Sequence, residues 1–252
     1  VWDDRILMIT CGKTALIQAL PEILAFIDKK SVKFILYERK CFMFQKNQAE
    51  RFANETASLK KIFPGKSRRL GPSNNNHAHV FFSIHAPIKS EHDVTFQLMM
   101  YDLNPHAAHV FCSKNISGEA QVETLSGLSK IYPNVITDSY LFSPYGYSLN
   151  GIFKKNYYTV HVTPQPGDSY ASFETNIKEK DYPGLIKKVI SVFKPGKFSV
   201  MLTMGSDLQS DHLDETLFDV INNYDIVANS RYEFEYGVCA AFLNYVQINS
   251  NK

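Results

Sequence analysis

Residues 134–176 read NVITDSYLFSPYGYSLNGIFKKNYYTVHVTPQPGDSYASFETN. Four strand signals follow one another in this stretch, at 134–142, 146–152, 157–163 and 169–175, rich in β-branched and aromatic residues and punctuated by Pro and Gly. No helical period separates them. Parallel βαβ winding alternates strand with helix, so this succession predicts antiparallel pairing.

Moving outward, the same logic extends to both ends. Upstream, Arg5–Thr10 (RILMIT) predicts a short strand closed by Cys11-Gly12, and Leu16, Ala19, Leu20, Ile23, Leu24 and Ile27 fall at helical spacing. Val32–Tyr37 predicts a strand, 45–63 a helix stopped by Phe63-Pro64-Gly65, and His79–Ile84 and Val94–Tyr101 two further strands. Weaker helical patterns lie at 105–112 and 121–131. Downstream, Leu185, Ile186, Val189, Ile190 and Phe193 share one helical face, followed by strands at Phe198–Thr203 and Tyr236–Val246. Strands outnumber helices. The expected fold class is α+β, with mostly antiparallel sheets and helices packed on their outer faces. The repeated strand, strand, helix order suggests an internal duplication, and no composition break divides the halves, so 1–252 reads as a single domain.

Composition narrows the function. The 252 residues carry 27 Lys and Arg against 25 Asp and Glu, a net charge of +2, with 44% hydrophobic and 13% aromatic residues and only 12 Gly and 11 Pro. This excludes a disordered tail, a collagen-like array and an electrostatic nucleic-acid surface. Cysteines 11, 41, 112 and 239 form no C-x-x-C pair, and a chain of this length needs no disulfides, so a reducing cytoplasm is the simplest compartment. The apolar run at 236–246 is about half the roughly 20 residues of a membrane helix and reads as a buried strand, so no membrane partner is expected. The chain opens on Val1-Trp2-Asp3-Asp4, without Met or a leader pattern, which suggests missing upstream sequence.

Four places bear on chemistry, each with a plain alternative. Cys11 stands between a strand and a helix, where backbone N–H groups favour a thiolate; alone, it reads more simply as a small buried residue at a turn. Phe142 to Gly151 (FSPYGYSLNG) alternates rings and hydroxyls and suits either a ligand or an ordinary turn. His161, in Tyr158–Pro164, projects from a strand beside Thr159 and Thr163, rigidly held as a proton-transfer group should be, although a lone His is more often structural. His77, His79, His85 and His92 cluster, but no acidic or Cys ligand completes a metal set, so no metal is expected. Phosphate-loop, dinucleotide, H-E-x-x-H and G-x-S-x-G motifs are missing.

Taken in order, several segments closely resemble the eukaryotic S-adenosylmethionine decarboxylases, pyruvoyl enzymes of spermidine and spermine synthesis. They are Thr10-Cys11-Gly12 before a helix, Tyr37-x-Arg39-Lys40-x-Phe42, Phe63-Pro64, Pro144-x-Gly146-Tyr147-Ser148-x-Asn150, Thr159-x-His161-x-Thr163-Pro164, Ser169–Asn176 and Val192–Phe198. Residues 205–252 carry no motif of this kind.

The resemblance implies a four-layer α/β/β/α sandwich of two antiparallel sheets. It implies a proenzyme that cuts itself at a Ser upstream of Val1, converts that Ser to a pyruvoyl group and leaves a small beta subunit beside the larger chain, to which residues 1–252 correspond. The pyruvoyl carbonyl acts as the electron sink that pyridoxal phosphate provides elsewhere. By the same resemblance Cys11 donates the proton to the carbanion left by CO₂, Phe142 is one of two rings around the adenine, and Ser148 and His161 serve self-cleavage. Two departures matter. Gln165 stands where the family commonly has a Glu that holds the ribose hydroxyls, and Tyr145 stands where a Cys is usual. A buried diamine site is matched by Asp93, Thr95 and Glu174, while Gln97 replaces a carboxylate and Glu38 returns one from a neighbouring strand. Putrescine is therefore a candidate ligand, and a pairing of two αβ units a candidate assembly. The rival reading is a catalytically dead paralogue acting as allosteric partner of an active subunit. Retention of Cys11, Ser148 and His161 speaks against it.

Overall fold

The computed structural model describes residues 1–10, 16–40, 48–86, 94–113, 116, 118–205 and 220–248. The chain divides into two compact units, 1–88 and 89–252.

In the first unit, a 3₁₀ turn at Leu16–Ala19 leads into α1 (Leu20–Phe26), followed by β1 (Phe34–Lys40), α2 (Gln48–Ile62), β2 (Lys66–Leu70) and β3 (Ala78–Ile84). The strands form an antiparallel sheet in the order β1-β3-β2. Helix α2 lays Phe52 and Leu59 against Tyr37 and Phe81 of the sheet, with the Tyr37 and Phe52 rings stacked at 5.9 Å. A polar clasp reinforces this packing: Arg39 donates to both Glu55 oxygens at 2.7 and 2.9 Å, and the Tyr37 hydroxyl donates to Glu55 at 2.6 Å. Such a two-pronged pair fixes orientation as well as charge. Burial, and then the Glu55 carboxylate, push the Tyr37 phenol up to about 12.

In the second unit, β4 (Thr95–Leu103) precedes α3 (Pro105–His109) and α4 (Glu119–Ser126), then β5 (Ile136–Leu141), β6 (Tyr147–Phe153), β7 (Asn156–Thr163) and β8 (Tyr170–Thr175). Helix α5 (Tyr182–Phe193), β9 (Pro195–Met204), β10 (Tyr224–Glu233) and β11 (Cys239–Gln247) complete it. The eight strands run β10-β11-β9-β4-β8-β7-β6-β5, every pairing antiparallel. The α+β class with antiparallel sheets expected from the sequence is the class observed.

The faces of this larger sheet differ sharply. On one, Leu149, Val160, Phe173, Leu98, Val200 and Leu243 form a continuous row of neighbours, all buried in the main core with the apolar face of α5. Each such side chain contributes about 1.5–3 kcal/mol of transfer free energy. Helix α5 is well bounded. Asp181 caps its start by accepting from the Gly184 amide at 2.8 Å, and Lys194 ends it in a left-handed conformation. Alternation then places a mixed row on the opposite face, where Asn150, Thr159, Glu174 and Gln97 are followed by the buried Met201 and Phe242.

Two expectations change. Residues 5–10 form no strand: among the described residues they join no sheet ladder, and Ile6, Leu7 and Met8 are 40, 36 and 41% exposed. An apolar run alone does not make a strand without a ladder partner. The strand expected from Tyr236 begins at Cys239, because a 3₁₀ turn at Glu235–Gly237 comes first. No helix among the described residues is long and apolar enough to cross a membrane.

Candidate functional site

Strands β6 and β7 are joined by the two-residue turn Lys154-Lys155, with Phe153 opposite Asn156. That turn fixes the register down the hairpin, and Ser148 falls directly opposite His161. On its other side His161 faces Ser172 of β8. Directly opposed residues on one face hold their Cβ atoms about 4.5–5.5 Å apart. A hydroxyl therefore flanks the imidazole on each side. Val160 and Val162, beside His161 in sequence, point into the core and are buried. A one-residue slip would bury the imidazole and expose both valines, so the presentation of His161 is strongly specified. Its ring is half-buried, with Nε2 buried.

One step along the same face lies a second polar row. Thr159 is opposite Asn150 and Glu174, and Glu174 is opposite Gln97. Thr159, Glu174 and Gln97 are all buried, Glu174 to 6% exposure. A buried carboxylate needs hydrogen-bond partners. The Tyr157 hydroxyl supplies one, donating to Glu174 Oε1 at 2.8 Å. Thr95 lies in the next row, opposite Thr203. Further across the sheet the Ser199 hydroxyl donates to Asn244 Oδ1 at 2.6 Å, so buried polar pairs continue along this face.

Phe142 follows β5, in a turn closed by its amide donating to the Gly146 carbonyl at 2.8 Å. The turn contains the cis Ser143–Pro144 peptide. It is pinned from outside by the Ser113 hydroxyl and amide, both donating to the Pro144 carbonyl, and by the Gly146 amide donating to Phe111. Gly146 has φ 120°, a region that favours glycine, and an added Cβ would lie 3.4 Å from the Phe142 Cβ. The Phe142 ring is 48% exposed and meets Tyr140 edge to face at 4.7 Å. Gln165, exposed, opens a turn whose Asp168 amide donates back to the Gln165 carbonyl at 3.2 Å, with Pro166-Gly167 at its centre. Gly167 at φ 87° gives the signature of a type II turn.

The structure thus brings Ser148 next to His161, and Glu174 next to Gln97. Glu38 lies in β1 of the first unit, opposite Val80. Cys11 and Asp93 lie outside the described residues. Tyr157 and Ser172 escape a motif-led reading of the sequence. Period-2 spacing offers a cue for Tyr157, which sits two and four residues before Thr159 and His161 on the same face. Of the histidine cluster, His77 and His79 meet edge to face at 5.1 Å, and His92 lies outside the described residues. Among the described residues no three His, Cys, Asp or Glu converge as metal ligands.

These features define an α+β protein in which the candidate residues Ser148, His161 and Glu174 stand on one face of an antiparallel sheet, with Phe142 and Gln165 in turns. The family model for adenosylmethionine decarboxylase matches residues 1–246, and the chain belongs to that family. It is 30% identical to the S-adenosylmethionine decarboxylase proenzyme of Dictyostelium discoideum over 258 residues, covering 99% of this chain and 68% of the relative. It is 33% identical to the proenzyme of that name from Xenopus laevis over 209 residues, covering 79% and 62%. Among solved structures it is similar to the crystal structure of the Trypanosoma brucei AdoMetDC-delta26 monomer, with a TM-score of 0.74 at 26% identity and 98% of each chain covered.

Proposed function

We propose that the chain carries the decarboxylation of S-adenosylmethionine to the aminopropyl donor of spermidine and spermine synthesis, as a self-processed carboxy-lyase. The observation that carries this reading is the register pairing of Ser148 with His161 in a chain that matches the family over residues 1–246. The relatives' name, proenzyme, supports processing into a larger chain and a small beta subunit.

The side chains fit a pyruvoyl group made by self-cleavage. A half-buried imidazole beside a hydroxyl on rigid strands is suited to removing one proton while a neighbouring oxygen is steadied by hydrogen bonding. The bound pyruvoyl carbonyl supplies an electron sink for the pair left by CO₂. This chain's own residues do the rest. Phe142 offers its exposed ring face to the adenine, and aromatic rings also favour a sulfonium cation. Cys11 supplies a proton to carbon. Gln165 accepts one hydrogen bond from the ribose and donates another.

The two chemistries are tested together by the intact mass of the full-length gene product under denaturing conditions. Two chains are expected, the larger with a blocked terminus that gains mass on borohydride reduction. One uncut chain would overturn the proposal.

Gln165 replaces a charge-assisted contact by neutral ones, a difference of about 1 kcal/mol. Gln165→Glu is therefore expected to lower KM for S-adenosylmethionine roughly fivefold with little change in kcat. Equal KM values in steady-state kinetics would remove Gln165 from the nucleoside site.

Glu174, with Gln97 and Thr95 beside it and with Asp93 as a further candidate, is proposed to take a diamine such as putrescine. The buried carboxylate held by Tyr157 supports this. Ligand at about 100 times Kd stabilises by about 2.7 kcal/mol, which raises Tm by several degrees in a chain of this size. Millimolar putrescine should produce that shift in a thermal melt, and Glu174→Gln should abolish it. Identical melts with and without putrescine would contradict the assignment.

A further inference from the structure

The first unit holds a second constellation that decarboxylation does not use. Between α2 and β2 lies an open cleft of about 400 Å³. Its hollow exists because α2 presents Ala53 and Ala57 there, and its walls carry the side chains of Lys60 from α2, Arg69 from β2 and His79 from β3, while Arg68, the strand neighbour of Arg69, turns its side chain to the other face of the sheet. Arg69 and His79 are directly opposed on one face of the sheet. No carboxylate lines the cleft. The carboxylate of Glu55 on the same helix is engaged by Arg39 at 2.7 Å and by Arg51 at 3.4 Å. Among the described residues, no carboxylate pairs with Lys60, Arg68 or Arg69.

We propose that this cleft is a binding site for a small phosphate-bearing anion, held by the guanidinium fork of Arg69 and the ammonium of Lys60, with His79 beside them. Guanidinium groups match phosphate oxygens two at a time, and a lysine adds a mobile point charge. The small side chains on α2 leave room for the anion between helix and strand. The His79 imidazole is held below the usual histidine range by burial first and then by His77 and Arg69, so it offers an anion a neutral N–H rather than a charge. The competing account is that β2, an edge strand, carries Lys66, Arg68 and Arg69 only to discourage pairing with another chain. That account needs no hollow and no contribution from Lys60 or His79.

The full-length protein titrated calorimetrically with inorganic tripolyphosphate at low salt decides between them. Saturable one-site binding is expected, with Kd at or below about 1 mM and weakening as salt rises. Lys60→Gln with Arg69→Gln should weaken it on the order of tenfold or more, because a charge-assisted fork and a second positive charge are lost. A matched pair at exposed lysines of the other unit, Lys155→Gln with Lys188→Gln, should leave it unchanged. If the double variant fails to fold by circular dichroism, Lys60→Gln alone, on the exposed face of α2, tests the same site through a several-fold loss of affinity. No saturable binding, or equal loss in the control pair, would overturn the proposal. Tighter binding of a short RNA than of tripolyphosphate, lost in the same double variant, would overturn it in favour of a nucleic-acid contact.

Discussion

Replacing His161 with alanine in the full-length proenzyme is expected to leave it a single uncut chain, with self-cleavage slowed by about 10²–10⁴-fold, the ordinary loss when a positioned general base is removed. The expectation rests on placement. His161 sits between Ser148 and Ser172 in adjacent ladders, its ring half-buried, while Val160 and Val162 hold the strand to the core from the other face. Removing the imidazole leaves the backbone ladder and both valines in place, so the variant should fold. A melting temperature within a few degrees of wild type would confirm that the loss is chemical. His161→Gln keeps the size and hydrogen-bonding capacity of the side chain but cannot take a proton at neutral pH, and it should fail as alanine does. Cleavage of either variant at the wild-type rate, followed by gel or mass spectrometry, would remove His161 from the reaction.

Substitution of Cys11 by alanine should do the converse. The chain is expected to process normally, yet kcat should fall by at least about 10²-fold with KM nearly unchanged, since a proton donor acts after the substrate is bound. In the sequence Cys11-Gly12 precedes a helical segment, and backbone N–H groups at a helix start bring a thiol toward neutrality. Cys11→Ser keeps the size of the side chain but replaces the thiol by a hydroxyl that does not titrate near neutral pH, so it should rescue little. A variant that turns over at the wild-type rate would return Cys11 to its plain reading, a small residue at a turn. The two substitutions separate processing from catalysis, because each should spare what the other destroys.

The strands that build the candidate site were legible because each carries both apolar core residues and clear punctuation. Tyr147–Phe153 buries Tyr147, Leu149 and Gly151 in alternation, Asn156–Thr163 carries a buried run at 157–160 followed by Val162, and Gly146 and Pro164 bound the two strands. What escaped the sequence were edge strands. Lys66–Leu70 (KSRRL) buries only Leu70, and Tyr224–Glu233 has no fully buried residue, so neither shows an apolar pattern. They are strands because β3 and β11 offer them hydrogen-bonding edges, a fact of the neighbour rather than of the segment. Residues 5–10 fail for the opposite reason, having apolar side chains but, among the described residues, no ladder.

The candidate residues could be named one by one from the sequence, but their arrangement could not. That Ser148 opposes His161 depends on the Lys154-Lys155 turn, in which Lys154 takes φ 56° without the Asn-Gly or Asp-Gly sequence that usually announces such a turn. That Glu174 opposes Gln97 depends on β8 pairing with β4, a partner far away in sequence. The hydrogen bond from Tyr157 to Glu174 follows from that folding and could not precede it.

The central claim, that this chain belongs to an active decarboxylase, is tested most directly by the release of labelled CO₂ from carboxyl-labelled S-adenosylmethionine by the purified full-length protein alone. Continuous turnover without any added homologous subunit is the predicted result. No CO₂ until a second, active decarboxylase chain is supplied would contradict it and make this protein a regulatory partner instead.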